Sequence, residues 1–191
     1  MASTKDIIFD IASKLFQERG YNQVTVNDIC EACGITKPTF YYHIKSKQEI
    51  LVRFYDHIVD NLTPLLLQMI SISGSWEQLI LLFDTLINNI QDLGTDINSQ
   101  LLSINLEKNY GTFALRENLE EIAVNIVRKG QDNKEFRNLN DAKQLYQAAA
   151  YMFTGYEYMW CVLDGDFDWK GQFFKSLENL MDVDPAFRRY S

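Results

Sequence analysis

Between Thr36 and Lys47 the sequence sets out a short run of side chains that donate hydrogen bonds, carry positive charge or present a flat ring: Thr36, Lys37, Thr39, Tyr41, Tyr42, His43, Lys45 and Lys47. These are the groups that read duplex DNA, where lysine reaches guanine O6 and N7 and hydroxyls reach phosphate oxygens. Lys37 and Thr39 stand early in the run and are expected at base edges. Tyr41 is expected to set its hydroxyl on a phosphate, because the adjacent Phe40 already supplies the inward-facing ring. Tyr42 and His43 suit phosphate, sugar or a thymine methyl, and for His43 a merely solvated side chain is an equal alternative. Lys47 stands at a helix start, where its charge opposes the helix dipole, so a phosphate partner explains it better than helix stability does. Thr25, at the start of an earlier helix, is expected to add one more phosphate contact.

Such groups need a rigid mount, and the surrounding residues describe one. Thr25 is placed to cap a helix in which Val26, Ile29 and Cys33 share a face, and Gly34 ends it with the permissive backbone of a tight turn. Ile35 points back to the core, Thr36 caps a second helix, and Pro38 sits just inside its start, where a missing N–H costs nothing. Upstream, Thr4 to Arg19 reads as an amphipathic helix with Ile7, Ile8, Ile11, Ala12, Leu15 and Phe16 on one face, stopped by Gly20. The pattern is a three-helix head whose last helix suits the major groove.

The run GITKPTFYYHIKSK resembles the DNA-reading segment of the TetR family of bacterial repressors. The spacing of Ile8, Ala12, Leu15, Phe16, Gly20, Tyr21 and Thr25 is similar to that family's first helix and entry loop. The match spans residues 5 to 53, and Ile44 and Cys30 replace the family's usual Phe and Ala, apolar for apolar. The resemblance implies an all-α protein. Residues 1–46 would be a helix-turn-helix DNA-binding domain, and 47–191 an effector-binding and dimerisation domain joined through a linking helix, Lys47–Ile70. The implied function is a dimeric repressor that binds an inverted-repeat operator and is released by a small hydrophobic or aromatic effector. Two-fold symmetry would set two reading helices on successive major grooves, roughly 34 Å apart.

Composition narrows the alternatives. The chain has 191 residues and a net charge of −8; residues 1–57 are balanced, so the acid lies in the remainder. Bulk attraction to nucleic acid is thereby excluded, whereas focused binding through Lys37, Lys45 and Lys47 is not. MASTKDIIFDIASK runs straight into an amphipathic pattern and no apolar run reaches the length of a membrane span, so a cytoplasmic protein is expected. The three cysteines are Cys30, Cys33 and Cys161. With only His43 and His57 as histidines, Cys30-x-x-Cys33 lacks the ligands of a zinc site and is read as small core residues, a redox switch being the minority alternative. No cofactor or metal is expected.

Beyond the head the periodicity is helical throughout. The linking helix carries Phe54, Ile58 and Leu62 and meets a bend or split at Pro64. Trp76, Leu79, Ile80, Phe83, Leu86 and Ile90 follow up to Gly94, and Thr95 or Asp96 opens another helix. A further helix is expected from Phe113 to Lys129 with Leu115, Leu119, Ile122 and Ile126, then a polar loop over 130–140. In that loop Gly130, Gln131, Glu135 and Phe136 resemble the family's connection into its eighth helix, with Lys134 where Gly is frequent. From Asp141 to about Leu163 runs a helix apolar on nearly every side. Ala148, Ala149, Ala150 and Gly155 would allow close helix approach, so part of it is read as a subunit interface. A last helix spans about Asp168 to Met181, and in the family the final two helices form the dimer bundle.

The candidate effector-lining residues are Phe83, Leu86, Ile104, Tyr110, Phe113, Tyr146, Met152, Tyr156 and Trp160, any one of which is more often ordinary core. Glu107, Glu120 or Glu157 beside them would suit a cationic aromatic ligand. Two other functions compete. A helical protein-interaction module that does not bind DNA would leave the Lys37, Thr39, Tyr41 and Lys47 constellation unexplained. An enzyme has no G-x-S-x-G, phosphate loop or metal spacing to rest on.

Overall fold

The computed structural model describes residues 3–60, 63–113 and 117–190. Among them the regular elements are helices: α1 (Thr4–Arg19), α2 (Val26–Cys33), α3 (Lys37–His43), α4 (Lys47–Asp60), α5 (Thr63–Ile70), α6 (Ser75–Glu107), α7 (Glu117–Asp132), α8 (Ala142–Val162) and α9 (Trp169–Met181). Leu62 and Leu115 lie outside the described residues, as do the side chains of Phe54, Ile58 and Pro64. The chain divides into two compact units, residues 1–60 with 90–112, and residues 61–89 with 113–191. No helix among the described residues is long and apolar enough to cross a membrane.

In the first unit α1 buries Ile8, Ala12, Leu15 and Phe16 against α2 and α3. Ser3 and Asp6 close a capping box at its start; Gly20, at φ 81°, takes the turn that a side chain would strain. Cys30 is buried with Ile29, whereas Cys33 is only half-buried. Burial, with Cys30 adding to it, pushes the Cys33 thiol up, so it holds less thiolate, which weighs against the redox alternative.

α6 is interrupted at Gly94, whose φ 80° and ψ 165° leave the helical region at the break the sequence marks. Buried Asn98 staples the interruption, its amide donating to the Ile90 and Gly94 carbonyls at 2.8 and 2.7 Å. Two residues after the break, Asp96 accepts the Tyr21 backbone N–H at 2.7 Å and ties this segment to the loop after α1.

The second unit packs α8 against α7 and α9. The connection 130–140 differs from the expected polar loop: α7 continues to Asp132, and Glu135 and Phe136 are buried. The Glu135 carboxylate accepts the Ser75 and Trp76 N–H groups at 3.0 and 2.9 Å, capping α6 from sixty residues away. Phe136 pairs its backbone with Val183, and its ring occupies the space a side chain on Gly130 would need. Lys134 holds φ 62°, the left-handed conformation that makes glycine frequent there.

α8 is divided between a buried and an exposed side. Ala149 is fully buried, but Ala148, Tyr151, Gly155, Tyr158, Met159 and Val162 form an exposed stripe along its opposite side.

Candidate nucleic-acid interface

Local chemistry fixes the reading helix. Thr25 caps α2 in a reciprocal box with Asp28, and Gly34 closes that helix in the left-handed region, φ 64° and ψ 32°. Thr36 then caps α3 by accepting the Thr39 N–H at 3.3 Å, with Pro38 in the first turn. Phe40 and Ile44 are fully buried and hold α3 on the head. What remains outside is a stripe: Lys37 and Tyr41, Pro38 and Tyr42, each pair one turn apart. Tyr41 is 53% and Tyr42 85% exposed, large rings left in water by a helix with only seven residues. His43 is half-buried and meets the Tyr42 ring edge-on, with centroids 4.9 Å apart. Thr39 is half-buried, and its hydroxyl lies 2.9 Å from that of Thr36.

Two of the residues expected at phosphates, Lys47 and Thr25, have partners within the head. The Lys47 ammonium donates to the carbonyls of Tyr21 and Val24 at 2.8 and 2.9 Å and sits 3.8 Å from the Tyr21 ring centroid. Burial lowers its pKa, an effect that Asp96 opposes. A lysine at the start of α4 is therefore explained within the head: it is a strut that ties α4 to the loop after α1. The Thr25 hydroxyl donates to Asp28 at 2.5 Å, and the Thr25 N–H goes to the same carboxylate at 2.7 Å, so its donors are spent on the cap.

The residues named as effector-lining fall in both units. Ile104 and Tyr110 belong to the first; Phe83, Leu86, Phe113, Tyr146, Met152, Tyr156 and Trp160 belong to the second. Phe83, Leu86, Tyr146 and Trp160 are buried, Phe113, Met152 and Tyr156 half-buried, and Tyr110 is exposed. In the second unit Phe83 meets Phe153 and Phe173 at 5.8 and 4.9 Å, and the Tyr156 hydroxyl lies 2.6 Å from that of Ser176. Burial pushes the Tyr146 phenol up to about 12, with Glu120 adding to it. Glu120 itself is taken by Lys143 and Gln147, both at 3.1 Å. Glu157, by contrast, is fully buried, and among the described residues neither of its oxygens has a hydrogen-bond partner.

Sequence reasoning missed Asp96, Asn98 and Glu135 as organising groups. Their partners carry no side-chain signature, since all three act on main-chain N–H or C=O groups.

Residues 8–54 match the family model for bacterial regulatory proteins of the tetR family. The biofilm operon icaADBC HTH-type negative transcriptional regulator IcaR of Staphylococcus epidermidis is 46% identical over 46 residues, 24% of this chain and 25% of that protein. The HTH-type transcriptional regulator YuxN of Bacillus subtilis is 33% identical over 60 residues, 31% of this chain and 21% of that protein. The matched stretch thus spans a quarter or less of the length of these relatives. Over the whole chain the fold is similar to that of Thermus thermophilus FadR, a TetR family repressor solved with lauroyl-CoA: TM-score 0.71 at 17% identity, covering 98% of this chain and 100% of that one. The helix-turn-helix head, residues 8–54, is thus similar to bacterial regulatory proteins of the tetR family, and the chain as a whole shares its all-helical fold with FadR.

Proposed function

We propose that the protein is a dimeric, ligand-responsive transcription repressor that reads an inverted-repeat operator with α3. The observation that carries this reading is the exposed Lys37, Pro38, Tyr41 and Tyr42 stripe on a helix pinned by Phe40 and Ile44, within the segment matched to the tetR family. Lys37 and Thr39 take base edges; Tyr41, Tyr42 and His43 take the backbone. Residues 1–46 act as the DNA-binding domain and 47–191 as the effector-binding and dimerisation domain.

The exposed stripe of α8 supports dimerisation. Small Ala148 and Gly155 alternate with Tyr151, Tyr158, Met159 and Val162, a largely apolar face left exposed among the described residues. The lauroyl-CoA bound by a protein of the same fold supports a small-molecule effector here, held among the rings of the second unit. Such an effector acts by its differential affinity for operator-bound and free forms.

The test is selection of bound duplexes from a random library with the purified protein. An enriched inverted repeat supports a symmetric DNA reader and supplies the site on which ligand release is then measured. No enrichment from a folded dimer would favour a protein-interaction module instead.

A further inference from the structure

We propose that Glu157 is the polar anchor of the small-molecule site in the second unit, and that the molecule it takes is an organic ammonium ion. The inference rests on the effector-responsive reading above and adds the chemistry of the ligand.

α8 sets Phe153, Glu157 and Trp160 at i, i+4 and i+7, one stripe of the helix, and all three are buried. From α9 the Trp169 ring lies 5.2 Å from Phe153 and 5.7 Å from Trp160, the two residues that flank Glu157 in the stripe. Phe173 continues the wall, 5.5 Å from Phe153. Glu157, between Phe153 and Trp160 in the stripe, is 0% exposed, and among the described residues both its carboxyl oxygens lack a hydrogen-bond partner. The indole N–H of Trp169, equally buried, lacks one too.

Structural carboxylates of this unit look different. Glu135 spends both oxygens on the start of α6, and Glu178 accepts the backbone N–H groups of Arg189 and Tyr190 with one oxygen. Glu157 caps nothing and pairs with nothing, yet placing a carboxyl there costs folding energy that an alanine would not. An ammonium ion answers both features of the site: it gives the carboxylate a charge-assisted hydrogen bond and lies against ring faces that attract cations. An anion would meet the carboxyl and the negative ring faces, and an uncharged hydrocarbon would leave the carboxyl unpaired.

Proton accounting follows from the same burial, which alone pushes the Glu157 carboxyl up to about 8. Of the charged groups on the elements packed against α8, Glu120 of α7 is engaged with Lys143 and Gln147, Lys170 of α9 with Asp84, and Glu178 with the C-terminal main chain. Near neutral pH the free site therefore holds a carboxylic acid, and as the ion pair forms its proton passes to solvent.

The experiment is calorimetric titration of the full chain, without DNA, using 2-phenylethylammonium and naphthylmethylammonium, with 2-phenylethanol and 3-phenylpropionate as uncharged and anionic counterparts. At least one ammonium should bind about tenfold or more tighter than the uncharged and anionic probes, and Glu157→Gln should abolish that preference. Repeating the titration in buffers of different ionisation enthalpy should show close to one proton released per ligand. Equal binding of charged and uncharged probes, no binding of either ammonium, or a preference that survives in Glu157→Gln would overturn the assignment. Should Glu157→Gln fail to fold, the wild-type preference and proton count decide alone. Failure here leaves operator binding standing, and failure of the duplex selection leaves this titration readable.

Discussion

Glu157 makes the stability of the second unit depend on pH in a direction opposite to that of most carboxylates. Its pKa rises from an ordinary 4.5 to about 8 because burial disfavours the charged form. Between those values the folded state binds more protons than the unfolded state, so stability falls as pH rises through the window. Below about pH 4.5 both states are protonated and the contribution is fully present; above about pH 8 it is lost. At 1.36 kcal/mol per unit the span amounts to about 5 kcal/mol, an upper bound because local opening hydrates the group before it ionises. Glu157→Gln removes the titration while keeping the shape. Urea unfolding followed by the fluorescence of Trp76, Trp160 and Trp169, all in the second unit, reads the effect where it arises. From about pH 5 to 8 the wild type should lose a few kcal/mol relative to Glu157→Gln, up to about 1.4 per pH unit. Parallel pH profiles for the two proteins would show that Glu157 ionises freely when folded, and the argument from burial would fail.

The other perturbations test the head and one close contact. Lys47→Met should destabilise the protein by about 1–3 kcal/mol, because two carbonyls lose a charged donor, and should leave the slope of log K against log salt unchanged. A slope reduced by about one unit would instead place Lys47 on a phosphate. Lys37→Ala should relax preference at one base position at a cost of about 1–3 kcal/mol, read by repeating the duplex selection, and unchanged preference would remove Lys37 from the base-reading set. Gly130→Ala forces the Phe136 ring to move and should lower the urea midpoint by the equivalent of about 1–3 kcal/mol.

How much of this was legible in the sequence depends on how far each group lies from its partner. Thr25 with Asp28, Thr36 with Thr39, and Gly34 after Cys33 all complete their geometry within one helical turn, so spacing alone located the caps, the turn and the reading helix. The partners of Lys47, the Tyr21 and Val24 carbonyls, were not legible because they are 26 and 23 residues away and no side-chain pattern marks a carbonyl. Glu135 looked like a loop residue for the same reason, its two N–H partners being sixty and fifty-nine residues distant. For the effector-lining set, hydrophobicity reported burial but not company: Ile104 and Trp160 are both buried yet belong to different units. α8 shows the complementary limit, since an apolar face packed in its own chain and one left open to another molecule are written with the same residues. Glu157 stood in the sequence as one of three alike candidates with Glu107 and Glu120, and burial tells it apart from Glu120. An ionisable side chain one turn from Phe153 and Trp160 is out of place in its stripe, and the cost of burying it is what the ammonium titration tests.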